Sequence, residues 1–142
     1  MHLTSLLPTL LLPLLTTAIP TYPGYDHPSF SLSTYGIPLH NGQCANSTYP
    51  SVRPSITDTQ AAINALPGGS ATCASLPDAS GCNLLASSGN ARLSYCGFGE
   101  PNPCTDVRDI AQVLLDVCQL GDGTVGAWSR GRSGNGVVLW HV

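Results

Sequence analysis

The chain has 142 residues, only 9% of them charged, and its basic residues are five arginines with no lysine, giving a formal net charge of −3. That balance excludes the basic footprint of a nucleic-acid binder and the polybasic patch that draws proteins to anionic membranes. The length suits one domain.

Residues 3–15 form an apolar run interrupted by Pro8 and Pro13 and followed by Thr16, Thr17 and Ala18. A short apolar core ending in small residues is the pattern of a signal peptide cleaved near Ala18, so residues 1–18 are expected to direct export. The run is too short and too rich in proline to cross ~30 Å of hydrocarbon as a helix. No later apolar stretch exceeds a few residues, which excludes stable membrane insertion. Residues 19–43 carry Pro20, Pro23, Pro28 and Pro38 among Tyr, Ser and Gly and show no period. They are expected to form a flexible or extended arm, with the folded domain spanning 44–142.

Six cysteines follow the leader: Cys44, Cys73, Cys82, Cys96, Cys104 and Cys118. An even count in an exported chain of this size predicts three disulfides. A zinc site would favour Cys-x-x-Cys pairs and clustered histidines, and neither occurs. Six cysteines allow 15 connectivities. Asn46-Ser47-Thr48 is a sequon, which predicts a glycosylated surface segment at Asn46.

Within the domain, residues 58–66 predict a first helix, with Ser55 or Thr57 near its cap and Pro67-Gly68-Gly69 as its stop. Residues 67–90 read as a loop pinned by Cys73 and Cys82, with a short helix near Leu84. From 91 to 98 the alternation of Ala91, Leu93 and Tyr95 against Arg92, Ser94 and Cys96 predicts a half-buried strand. Residues 106–120 form the strongest element. Val107, Ile110, Ala111, Leu114, Val117 and Cys118 make one apolar stripe at helical spacing, Thr105 is the expected N-cap, and Gly121 ends the helix. Cys104 and Cys118 would then stand roughly 21 Å apart along the helix axis. A disulfide requires Cα atoms within about 7 Å, so Cys118 is expected to pair with an earlier cysteine and not with Cys104. Residues 124–130 and 136–142 predict a closing hairpin whose bulky residues are Trp128 and Trp140. Two helices and at least three strands predict an α+β fold, an antiparallel sheet with helices on one face.

Candidate chemistry is sparse. Gly121-Asp122-Gly123-Thr124-Val125-Gly126 has the letters of a dinucleotide fingerprint, but it follows a helix and precedes a strand, the reverse of what pyrophosphate binding needs. It reads as a glycine-rich turn. Asp106, Asp109 and Asp116 share a helix, and the helix dipole accounts for Asp106 and Asp109 without an acid–base role. Glu100 and His141, with Arg92, Arg130 or Arg132, would make the acid–base pair and phosphate clamp of a small ribonuclease. His27 and His40 fall in the arm and are expected to be solvated. No Gly-x-Ser-x-Gly elbow is present, and six paired cysteines leave no thiol nucleophile. No catalytic, cofactor or metal site is assigned.

The C-terminal third carries a resemblance. Leu93-Ser94-Tyr95-Cys96-Gly97-Phe98-Gly99, Asp106-Val107-Arg108-Asp109-Ile110, Gly123-Thr124-Val125-Gly126-Ala127 and Val138-Leu139-Trp140 resemble the motifs of the fungal extracellular-protein-two, or necrosis-inducing-factor, effectors. Cys44-Ala45-Asn46-Ser47-Thr48 is similar to that family's opening Cys-x-x-Ser-Thr. The chain departs from the pattern where Thr59 follows Asp58 in place of a cysteine, and where Arg132-Ser133 stands in place of a hairpin cysteine. The resemblance implies a Cys44–Cys96 bridge, a sandwich shared with virally encoded killer toxins, and a secreted virulence factor or elicitor of host cell death, without catalytic residues. The expected function is therefore a monomeric extracellular effector or toxin-like protein that binds a host or competitor molecule, with no nucleic acid and no cofactor. The alternatives are a wall-associated structural protein and a small secreted ribonuclease-like hydrolase.

Overall fold

The computed structural model describes residues 29–38, 40–45, 53–75, 81–97, 100–131 and 134–141. The expected leader, residues 19–28 of the arm and the sequon at Asn46 lie outside the described residues. The elements in chain order are β1 (Phe30–Ser31), a 3-10 turn (Leu32–Tyr35), β2 (His40–Cys44), α1 (Ile56–Asn64), β3 (Thr72–Cys73), β4 (Cys82–Ser88), β5 (Ala91–Cys96), β6 (Asn102–Pro103), α2 (Cys104–Cys118), β7 (Ala127–Gly131) and β8 (Gly136–His141). Six strands make one sheet in the order β1-β2-β7-β8-β5-β4, with antiparallel pairing throughout. The chain is thus α+β, as its patterning predicts.

Alternation decides which side of the sheet is the core. Ala91, Leu93 and Tyr95 of β5 stand level with His141, Leu139 and Val137 of β8, and Ala127 of β7 stands level with Leu139. Apart from His141 these side chains are buried. Against them α2 lays Val107, Ile110, Ala111, Leu114, Leu115 and Cys118, a stripe at helical spacing, all buried. Removing a Val, Leu or Ile side chain from water contributes about 1.5–3 kcal/mol, so this helix supplies the larger share of the core. The shorter α1 adds Thr59, Ala62 and Ile63. It packs on β4 and β5, whereas α2 packs on β2, β7 and β8.

Several expectations are corrected. The folded part does not begin near Cys44: β1, the 3-10 turn and β2 lie within the stretch read as a flexible arm. β2 pairs with β7 from His40 to Cys44, and Leu32 is buried over Gly42, where any Cβ would run into the Phe30 and Leu32 side chains. These elements are too short, and too broken by Pro and Gly, to show a period. The region near Leu84 is not helical but strand β4. Its register with β5 slips between Leu84 and Ala86, and that bulge hides the alternation. Helix α1 starts at Ile56, because Ser55 accepts the Asp58 N–H at 3.0 Å and caps it. α2 starts at Cys104 with Pro103 at its cap, not Thr105, and no side chain caps it.

The bridges are Cys44–Cys118, Cys73–Cys104 and Cys82–Cys96, with no free cysteine. Cys118 does reach back to an earlier cysteine, but the Cys44–Cys96 bridge implied by the family resemblance is overturned. Cys82 and Cys96 face each other across β4 and β5, and Cys44 at the end of β2 lies 5.1 Å from Cys118, Cα to Cα. Both terminal residues of α2 are therefore covalently anchored. Among the described residues no helix is long and apolar enough to cross a membrane.

One further tie joins α1 to the β4–β5 turn. Asp58 Oδ2 accepts the Asn90 N–H, and Asn90 Oδ1 accepts the Ser55 N–H. Gly89 in that turn has φ +48°, and a Cβ there would collide with the Asp58 carboxylate.

Two stability outcomes are expected. Replacing Cys44 and Cys118 together by serine should cost about 4 kcal/mol in denaturant unfolding, because the bridge closes a separation of 74 residues. Gly89→Ala should cost about 1–3 kcal/mol, from positive φ and overpacking. Gly68→Ala, which meets nothing within 4 Å, should stay close to wild type.

Candidate functional site

Both helices occupy one side of the sheet, and no described element packs on the other. On that open side one row of side chains crosses five strands: Leu84 (β4), Ser94 (β5), Val138 (β8), Trp128 (β7) and Gln43 (β2), each level with the next. Beside it stand Arg92 and Trp140, directly opposite each other, and on the far side Arg130 faces Asn41. The alternation that turns Ala127, Ser129 and Gly131 inward turns Trp128 and Arg130 outward. In β8, Val137 and Leu139 go in while Val138 and Trp140 go out.

Each indole is held by a residue of the neighbouring strand. Trp140 Nε1 donates to Ser94 Oγ at 3.1 Å, and Trp128 Nε1 donates to Gln43 Oε1 at 2.8 Å. Ser94 is only 4% exposed, and its hydroxyl is the acceptor of that Trp140 N–H. Trp140 is itself 39% exposed and Leu84 51%. Each indole is thus tethered by its N–H to the neighbouring strand. Trp128 and Trp140 are diagonal neighbours on adjacent strands, a spacing of about 7–8 Å between backbones. The register thus sets two indoles near each other on one side of the sheet, with Arg92 and Arg130 on either side of them. Arg92 is steadied by the Ala91 carbonyl at 2.9 Å, and Arg130 is exposed.

The residues considered for chemistry do not converge. His141 pairs with Ala91 at one end of β5, and Glu100 follows Cys96 at the other. The strand between them spans about 17 Å, so the acid–base pair of a nuclease is not assembled from these two groups. Arg132, His27 and Phe98 lie outside the described residues. Asp106, Asp109 and Asp116 point to solvent from α2. Among the described residues no three of His, Cys, Asp and Glu are grouped as metal ligands.

The glycine-rich segment is a turn. Asp122 Oδ1 accepts the Thr124 N–H at 3.1 Å and the Thr124 hydroxyl at 2.6 Å, and Gly123 sits at φ +78°. Asp122 also meets the guanidinium of Arg53 at 3.2 Å, an arginine whose side chain is buried. His40 is not solvated as expected: it is half-buried on the helix side, packed over Gly131. Nearby, Asn135 and Asn102 both donate to the buried Tyr95 hydroxyl.

The indole pair was within reach of pattern reading. Trp128-Ser129-Arg130 and Val138-Leu139-Trp140 alternate, and the small inward residues of β7 mark the other set as outward. What pattern alone leaves open is the register that sets the two indoles side by side.

Two groups make the fold acid-sensitive. Burial holds the His40 imidazole below its usual range, so stability should fall as pH drops below about 6.5, where the unfolded chain takes up the proton first. The Thr124 hydroxyl, opposed by partial desolvation and helped by the Thr124 N–H and Arg53, holds the Asp122 carboxyl below its usual range. Its contribution is present above about 3.9 and should vanish as pH falls through the lower folded value. A thermal-melt series from pH 7 to pH 2.5 should show both losses. His40→Asn should flatten the upper window and Asp122→Asn the lower, and a melting temperature constant between pH 7 and pH 5 would contradict the first.

Compared with protein-family models, with curated proteins and with solved structures, the chain matches none.

Proposed function

We infer that this chain is an exported extracellular binding protein, an effector- or toxin-like ligand that engages a host or competitor molecule through the open face of its sheet. The observation that supports this reading is the pair of tethered indoles on the side of the sheet opposite both helices. Trp140 keeps 39% of its surface exposed, and large, pre-oriented aromatic surface is what recognition uses. Three disulfides suit an oxidising compartment outside the cell. The leader-like residues 1–18 support export, and the motif resemblance supports an effector role. The alternative of a nuclease built on Glu100 and His141 draws no support, since β5 separates them.

The test uses purified, oxidised protein infiltrated into plant leaf tissue and, in parallel, applied to competing microbes. A response is expected from the native chain and should be lost with Trp140→Ala while the melting temperature stays within a few degrees of native. An inert native protein, or a Trp140→Ala variant as active as native, would overturn the reading.

A further inference from the structure

The three bridges are not equivalent. Cys44–Cys118 and Cys73–Cys104 span 74 and 31 residues and join α2 to separate parts of the chain, whereas Cys82–Cys96 spans 14 and closes a single hairpin. The entropy removed from the unfolded chain grows with the loop closed, so the third bridge stabilises the fold least. The hairpin also holds itself together on both sides of that bridge. Leu84 pairs with Ser94 on one side, and on the other the Gly97 N–H donates to the Gly81 carbonyl at 2.6 Å. At the far turn, Asn90 is tied to Asp58 and Ser55.

Their surroundings separate the bridges further. Cys73, Cys104 and Cys118 belong to the buried core, so each α2 bridge has at least one cysteine enclosed by apolar side chains. Cys82 and Cys96 are both half-buried, and Gly136, which faces Cys96 from β8, has no side chain to lie over the bridge. Thiol–disulfide exchange expels one sulfur as a thiolate, and apolar surroundings disfavour a thiolate by raising its pKa. Attack on Cys44 would expel Cys118 into the core, and attack on either end of Cys73–Cys104 would expel its partner there. Attack on Cys96 expels Cys82 at the edge of the sheet.

We propose that Cys82–Cys96 is a redox switch, opened by an external monothiol of the glutathione class while both α2 bridges stay closed and the fold persists. The thiolate of a first reductant attacks Cys96 Sγ and forms a sulfur–sulfur bond there. The bond to Cys82 breaks, and the Cys82 thiolate takes up the proton that the reductant thiol gave up. A second reductant thiolate attacks the external sulfur of the mixed disulfide and releases Cys96, which is protonated in turn. One protein disulfide becomes two thiols, and two external thiols become one external disulfide. What changes is β4, the last strand in the order of the sheet, hydrogen-bonded to β5. Its residues 82–84, ahead of the register slip between Leu84 and Ala86, lose their covalent tie to β5. They become free to open and close locally while α2 remains anchored at both ends. The switch does not rest on the reading of the sheet face as a binding surface.

The test holds the native oxidised chain in reduced glutathione without denaturant, alkylates its thiols at intervals and maps the labelled peptides by mass spectrometry. The first two labels are expected on Cys82 and Cys96, with near-ultraviolet circular dichroism retained, and glutathione disulfide should restore the bridge. Amide exchange at residues 82–84 should quicken several-fold in the doubly labelled form while that of α2 stays unchanged. The double variant Cys82→Ser, Cys96→Ser should fold, show the same quickened exchange without reductant, and yield no thiol under the same treatment. First labels on Cys44, Cys73, Cys104 or Cys118, or labels that appear only with global unfolding, would overturn the proposal. So would unchanged exchange in β4 or a double variant that does not fold.

Discussion

Helix α2 is bound covalently at its first and last residues, Cys104 to Cys73 and Cys118 to Cys44. The rest of the structure depends on that double anchorage. The helix has no side-chain N-cap and ends in an extended residue, Gln119, so its termini are not secured by the usual hydrogen bonds. Its apolar stripe covers β2, β7 and β8, three strands drawn from opposite ends of the chain. Cys44 fixes the end of β2 under the helix C-terminus. Cys73 fixes the small β3–β6 ribbon at the N-terminus, where the backbone of Cys104 also donates to Ala71 at 2.9 Å. With only two helices to cover a six-stranded sheet, the bridges reduce the freedom of the unfolded chain where apolar burial is modest.

Both helices lie on one side, and among the described residues no helix or strand covers the other. Most sheets of this size either bury both faces or make the open one polar. Here the open face is mixed: polar at Asn41, Gln43, Arg92 and Arg130, apolar at Leu84 and Val138, aromatic at the two tryptophans. The third bridge, Cys82–Cys96, lies on this side and ties the edge strand β4 to β5.

Legibility in the sequence varied with how local the determining interaction is. The α2 stripe and the alternation of β5 are set by neighbours a few residues apart, and both were readable directly. So was the rule that Cys118 pairs with an earlier cysteine, since it follows from helix length alone. β4 was missed because its bulge breaks the alternation at Leu84, and its strand state comes from pairing with β5. β2 was missed because its partner β7 lies more than eighty residues away, and β1, two residues long and paired only with β2, because Leu32 reads as an isolated apolar residue until Gly42 is placed beneath it. The bridge partners follow from the fold and not from spacing, which is why resemblance misassigned Cys44. Both tryptophans could be placed in a hairpin from sequence, but their shared face requires the register of β7 against β8.

The sheet order has a consequence for how the polypeptide folds. Its two middle strands, β7 and β8, are its last two in sequence, inserted between β2 and β5. Until that hairpin has formed, β2 and β5 have nothing to pair with in the centre, and α2 has no complete surface to cover. Before then structure can extend only to local pieces such as the β4–β5 hairpin, and closure waits for the β7–β8 hairpin, as expected of a topology rich in distant pairings. A sheet whose centre is laid down by β7 and β8 sets as one unit only when its most distant pairings form.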